Sequence, residues 1–463
     1  MKEHSLSISQ RTGILITLLL SAFITAMSTT VTGNMIPNIM TYFSVSSGAA
    51  QWLTSGATLL SGIIIPITAF LIKKIPNKYY YLSAMVFFSA GSLSACTASS
   101  FSMLLISRLV QALGCGMLLS FAQVIILTIY PREKHGTMMA MYSMAASVSS
   151  MIGPTYAGLI MDTVGWRGVF LSLFAVGAIL VVMGVAFMCN VTSRQESHIN
   201  MFYVLLSSIG FLTYIIGLNN IKCGAFHLNS GGMMAIGILS LTVFSAFQLH
   251  SDKPMLNLYV FRNSKFRLGV FLTICMYLIC MGNAMILPIY AKIICGYSDT
   301  SYGLATIAGA LISLLATLFA GRIYDKIGIK PMSVVTVLAF GIYSVIGIFA
   351  SKTASITQIG IMYALQSIGM AAMISPVTTM ALSELKDQLR VDGSAIFNTL
   401  RQISSSVATT TAVLLFTLFG GELDAFHKVY LYFGLVTVVI LLLVVVFLFS
   451  GKKKLLVICK NDN

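Results

Sequence analysis

Apolar stretches of about twenty residues, the length that crosses a bilayer as a helix, recur almost without pause along the 463 residues of this chain. Fourteen can be laid down. They lie near 12–36, 49–72, 79–98, 102–129, 137–160, 168–190, 201–218, 231–249, 267–291, 302–321, 332–350, 356–382, 393–418 and 429–450. A backbone in lipid must satisfy its own hydrogen bonds, so only helices and closed barrels can cross. The alternating ten-residue strands of a barrel do not occur here. Charged residues make up 9% of the chain and apolar ones 57%, against about 25% charged in a soluble domain. The expectation is an all-α polytopic membrane protein with 14 transmembrane helices, and its short loops leave little room for a soluble catalytic domain.

The net charge of +15 could suggest nucleic acid. The basic residues are instead spread over short loops with no aromatic-interleaved patch, which favours orientation in a membrane and no nucleic-acid partner. With both termini placed in the cytosol, 21 of the 28 Lys and Arg fall in inside segments and 5 in outside ones. That bias predicts cytosolic ends and an even number of spans in a cell membrane. The run from Thr12 to about Met40 is too long for a signal-peptide core and ends without a small-residue cleavage site, so it reads as an uncleaved first span. Of the eight cysteines, most sit inside apolar spans, and no CxxC occurs. They read as inert buried thiols, with no metal or cofactor implied.

An internal repeat is visible. QALGCGMLLS at 111–120 aligns with QSIGMAAMIS at 366–375, an offset of 255, and AFLIKKIPNK at 69–78 aligns with AGRIYDKIGIK at 320–330, an offset near 252. Same-direction repeats this far apart fit two parallel six-helix halves. The expected divisions are a first half at 12–190, an inserted two-helix hairpin at 191–250 and an amphipathic linker at 251–266. A second half at 267–450 and a basic tail at 451–463 follow.

Only two charged residues fall deep inside a span: Arg108 and Arg401. A charge at the bilayer centre costs about 2.5–3.5 kcal/mol on insertion scales, so each marks a functional site by default. Arg108 and Gln111 are one turn apart and can face one cavity; Arg401 and Gln402 follow Asn398 in the same manner. The competing reading makes each arginine structural, bonded to carbonyls of a neighbouring helix. In IGPTYAG, Gly153 and Pro154 combine a close-packing face with a missing backbone hydrogen bond. In GRIYDKIGIK, Gly321 permits close helix approach, Arg322 faces headgroups and Asp325 can pair with neighbouring cations. A kinked packing helix and an ordinary polar turn are the plain alternatives.

These motifs together resemble the major facilitator superfamily, and most closely its fourteen-helix drug:proton antiporters of the EmrB/QacA type, the lincomycin-resistance-like exporters among them. The resemblance covers about 12–450. GRIYDKIGIK resembles the superfamily's cytosolic loop motif in its second-half copy, RLVQALGCG the fourth-helix motif and SSMIGPTYAG the fifth-helix antiporter motif. The resemblance implies a role for Arg108 in proton coupling. Two positions depart from the pattern. Ser28 stands where the first helix of the family usually carries Asp, and Lys73 aligns with the Asp of the first cytosolic loop motif. Asp325 keeps the second-half acid.

The resemblance implies a secondary exporter of amphipathic small molecules working by alternating access, coupled to protons and acting as a monomer in a bacterial plasma membrane. Superfamily transporters bind cargo between their halves near the midplane. Candidate lining residues are Ser28, Asn34, Gln111, Gln123, Asn283, Gln366, Asn398, Arg401 and Gln402. Candidate coupling or gating residues are Arg108, Gly153, Pro154, Gly321, Arg322, Asp325 and Asp392. No carboxylate reaches mid-span, so a cavity with two arginines favours neutral or anionic cargo over cations. Arginine does not deprotonate in proteins, which leaves Asp392 and Asp162 as the nearest titrating groups. A facilitator or uptake carrier without proton coupling shares all these features. A membrane-embedded enzyme lacks its His, Asp or Glu at depth.

Overall fold

The computed structural model describes residues 7–45, 47–192, 201–219, 228–251, 254 and 256–458. Among them fourteen α-helices follow one another with short links. They are α1 (Ile8–Phe43), α2 (Ser47–Lys74), α3 (Asn77–Cys96), α4 (Phe101–Ile129), α5 (His135–Val164), α6 (Trp166–Phe187) and α7 (Met201–Asn219). The rest are α8 (Leu228–His250), α9 (Ser264–Ile289), α10 (Asp299–Ile327), α11 (Lys330–Ile348), α12 (Ile356–Ser383), α13 (Asp387–Leu418) and α14 (Leu423–Ile458). Ten contain a described stretch long and apolar enough to cross a membrane. Two fully described helices, α3 and α13, fall outside that ten. In α3 the cause is a Tyr79–Tyr81 run with scattered serines, and in α13 a Ser, Thr, Asn, Gln and Arg content that its packing has to satisfy.

The chain divides into two compact units. The first holds residues 1–215, 233–260 and 385–399; the second holds 216–232, 261–384 and 400–463. Thus the opening turns of α13 cluster with the first unit although the remainder of that helix clusters with the second. Of the expected hairpin, residues 193–200 and 220–227 lie outside the described residues, as do 252, 253 and 255 of the linker and 459–463 of the tail. Leu258–Arg262 of the linker form a 3-10 turn with Val260 buried and Tyr259 exposed.

Each unit repeats one packing plan. In the first, α2 and α3 pack on α4, and α6 packs on α3 and α1; in the second, α10 and α11 pack on α12, and α14 packs on α11 and α9. The local chemistry repeats with it. Ser100 caps α4 by accepting from the Met103 amide, and Ser355 caps α12 by accepting from the Gln358 amide, both at 3.2 Å; such caps satisfy N–H groups that the first turn leaves orphaned. Gly114 lies where α4 crosses α3, and a Cβ there would stand 2.4 Å from the Ala84 carbonyl oxygen. Gly369, 255 positions on, lies where α12 crosses α11, and its Cβ would stand 2.6 Å from the Phe340 ring. Small residues allow this closeness, which drives helix association where no hydrophobic effect operates. The outward side chains, such as Ile106, Ile179 and Val182 in the first unit and Leu304, Leu315 and Leu338 in the second, are apolar and exposed.

Candidate functional site

In the first unit, α4 carries a polar cluster inside an otherwise apolar core. Arg108 is 2% exposed. Its guanidinium donates to Gln111 Oε1, one turn along the same helix. Gln111 in turn donates through Nε2 to Ser92 Oγ of α3 at 2.7 Å. Cys115 lies within electrostatic reach of Arg108, and Ser28 Oγ of α1 is 3.9 Å from the Cys115 sulfur. Arg108 Nε is buried with no partner. Burying a guanidinium against neutral groups alone is costly, and among the described residues no carboxylate forms an ion pair with it. Ser28, found where a counter-charge was expected, therefore stands beside the cluster as a neutral group.

A second polar assembly joins α4 to the opening turns of α13. Asn398 donates to Gln123 Oε1 at 2.8 Å, Ser394 Oγ donates to the same oxygen at 3.0 Å, and Ser394 also reaches the Ser120 carbonyl at 3.3 Å. Two residues before Ser394, Asp392 accepts from Lys73 at the end of α2 through both carboxylate oxygens at 2.6 Å, with the lysine and aspartate side chains 9% and 1% exposed. Arg390 donates to the Leu127 carbonyl at 3.1 Å and pairs with Asp387 at 2.9 Å. Every residue from Arg390 to Thr399 is buried. Lys73, which looked like the loss of an acidic residue, thus pairs with an acid supplied by another helix. Nothing local in either segment signals that pairing, because the two residues are 319 positions apart.

The second unit holds a neutral counterpart. Asn283 of α9 donates to Gln366 Oε1 of α12 at 3.1 Å and accepts from the Tyr430 hydroxyl of α14 at 2.7 Å. The Tyr343 ring lies 5.1 Å from that of Tyr430, and its hydroxyl is buried without a partner. Tyr430 gives no signal in the sequence because it opens an apolar run, VYLYFGLV at 429–436, where a tyrosine reads as aromatic bulk.

The remaining candidates fall as follows. Gly153 is buried where α5 meets α1, and a Cβ there would stand 2.4 Å from Thr30 Oγ1. Pro154 lies within α5, with its side chain outside the described set. Asn34 is exposed and donates to the Thr30 carbonyl of its own helix at 3.2 Å. Arg401 and Gln402 are half-buried in the second unit. Gly321 is buried, Arg322 exposed and Asp325 half-buried at the end of α10. An exposed ion pair joins Lys265 to Glu384 at 2.8 Å in the same unit.

Comparison with known proteins adds to this geometry. The family described as Major Facilitator Superfamily matches residues 18–409 and 269–457. The lincomycin resistance protein LmrB of Bacillus subtilis (strain 168) is 30% identical over 407 residues, covering 86% of this chain and 84% of its own length. EmrY of Escherichia coli (strain K12), named a probable multidrug resistance protein, is 25% identical over 422 residues, covering 90% and 81%. Among solved structures, the human organic anion transporter MFSD10 superimposes with a TM-score of 0.69 over 92% of this chain and 99% of its own, at 14% identity. That last likeness concerns the fold alone.

Proposed function

Because the chain belongs to the major facilitator superfamily, and is a multi-pass membrane transporter rather than an enzyme, we propose that it is a secondary exporter of amphipathic small molecules. It is driven by proton antiport, takes neutral or anionic cargo, and sits in a bacterial plasma membrane as a monomer with both termini in the cytosol. Its working parts are the halves 12–190 and 267–450, joined by the 191–250 hairpin and the 251–266 linker, with the basic tail 451–463 at the inner surface. The resistance proteins among its relatives support drug efflux. One observation carries the cargo preference: Arg108 is buried among neutral groups, with its Nε unpaired. A cargo acceptor or anion satisfies that donor, whereas a cation entering the same space meets an uncompensated positive charge.

Gln111 and Ser28 line the Arg108 side of the proposed site. Within the second unit, Asn283 and Gln366 offer cargo neutral hydrogen-bonding groups, and Arg401 and Gln402 belong to the same unit. Asp392 is the titrating group of the coupling reaction, because it is the buried carboxylate whose loss of charge would release Lys73. Gly321, Arg322 and Asp325 form the second-half loop motif, and Gly153 with Pro154 sets the α1–α5 contact.

The test is transport by the purified protein in liposomes. Acidic and neutral fluorescent amphipaths should accumulate against a gradient when a pH difference is imposed, and a quaternary ammonium dye should not. Preference for the ammonium dye would sink the cargo assignment. Equilibration of the amphipaths without accumulation, indifferent to the pH difference, would leave a facilitator without proton coupling.

A further inference from the structure

A cavity of about 560 Å³ between α10 and α12 is lined by apolar side chains that face outward like the rest of the surface. A second cavity, of about 520 Å³, is of another kind. It lies within the first unit, at the end where α2 finishes and α13 begins. Its apolar wall is built from Ile72, Val124, Val191 and Val391. Two lysines, Lys73 and Lys386, share the lining with Thr128 and Gln388. The volume falls inside the range of about 300–1,000 Å³ typical of small-ligand sites, as does the pattern of apolar walls with a few polar groups.

The charge balance of this cavity points to the sign of its occupant. Asp387 also lines it, but its carboxylate is held by Arg390 at 2.9 Å. Asp392 is held by Lys73. Lys386 forms no ion pair among the described residues and is exposed. Asp387 and Gln388, also in the wall, open a 32-residue helix that Lys386 immediately precedes, and its N-terminal dipole favours negative charge. An anion here meets one free ammonium, one ammonium that Asp392 shares and a helix N-terminus, with the Asp387 carboxylate beside it neutralised by Arg390.

We propose that this cavity binds the head of an anionic amphipath, a phosphate or carboxylate on a short apolar chain, with the anion beside Lys386 and Lys73 and the chain on the valine and isoleucine wall. The occupant competes with Asp392 for Lys73 and so loosens the opening turns of α13 from α2. This site rests on the exporter reading only for its meaning as the point where cytosolic cargo enters. The same chemistry is offered by a free amphipath and by the headgroup of an anionic lipid.

The experiment uses the full chain in nanodiscs of phosphatidylcholine, with calorimetric titration of hexyl phosphate and, in parallel, hexyltrimethylammonium. Hexyl phosphate should bind and the ammonium should not. Lys386→Gln, at an exposed position, should weaken binding about tenfold or more, the worth of one charge-assisted hydrogen bond. Thr128→Trp, also exposed, should block binding by filling the cavity. Lys352→Gln, outside the cavity, should leave it unchanged. Equal hexyl phosphate binding by the wild type, Lys386→Gln and Thr128→Trp would overturn the proposal, as would preference for the ammonium. Replacing part of the lipid by phosphatidylglycerol separates the two sources. Weakened hexyl phosphate binding in the wild type alone supports the site with a lipid headgroup as occupant. Unchanged binding supports it with a free amphipath as occupant. A wild type that binds hexyl phosphate yet exports nothing would remove the exporter reading and keep the site.

Discussion

Helices α4 and α12 are copies of one another by sequence offset, cap and crossing glycine, yet they bury opposite kinds of chemistry. Gln111 of α4 is tied to a guanidinium, Arg108. Gln366, its counterpart 255 positions on, is tied to Asn283 and through it to Tyr430. Where α4 has Arg108, α12 has Tyr363. The shared scaffold accounts for the packing, and the differing side chains divide the work. The first unit holds permanent charge and the buried Lys73–Asp392 pair. The second offers neutral donors and acceptors, its Arg401 is only half-buried, and its Lys265–Glu384 pair is 44% and 41% exposed. Charge in the first unit is therefore costly to disturb, whereas charge in the second is cheap.

That contrast can be broken most directly at the ion pairs. Asp392→Ala leaves the Lys73 ammonium buried and alone, and should cost about 3–5 kcal/mol. Glu384→Ala, by comparison, should cost about 1 kcal/mol or less, since exposed pairs are screened. Thermal melting of the detergent-solubilised variants measures both. The double variant Lys73→Ala, Asp392→Ala should recover most of the loss, and equal melting shifts for the two single variants would erase the distinction.

The glutamines sharpen it further. Gln111→Leu removes a partner of a buried charge and should cost about 1.5–3 kcal/mol, while Gln366→Leu removes a neutral bond and should cost about 0.5–1.5 kcal/mol. The same melting series compares them, with transport of a neutral amphipath as a second readout; the reverse order would mean that Arg108 finds another acceptor.

The crossing glycines test the comparison through packing rather than charge. Gly114→Ala drives a methyl into the α3 backbone and should cost about 1–3 kcal/mol, as overpacking does. Gly369→Ala meets the Phe340 ring, which can tilt, so it should cost less. Equal losses at the two positions would show that both crossings are equally rigid.

The helical plan was legible because its cause is local. Most spans carry their own apolar run, and the alignment of QALGCGMLLS with QSIGMAAMIS marks α4 and α12 as counterparts. The candidate site was legible only in part. Arg108 and Gln111 were readable as a pair because one helical turn separates them. Asn283 and Gln366 were named singly, yet their bond to each other and to Tyr430 comes from three separate helices. Asn34 looked equally promising in sequence but turns outward and bonds its own helix. Helical periodicity does not say which face of an all-apolar helix meets a neighbour.

The sequence alone therefore determined the class of the molecule: apolar runs that must become helices in lipid, a duplication, and two deep arginines without a deep acid. Only the tertiary structure decided what those charges meet. Lys73 is separated from Asp392 by 319 residues, and Gln123 from Asn398 by 275. No local rule links such positions, because their pairing depends on which helix faces pack together. Packing turned a basic residue in place of an expected acid into half of a buried ion pair, and left Ser28 beside Arg108 as a neutral neighbour.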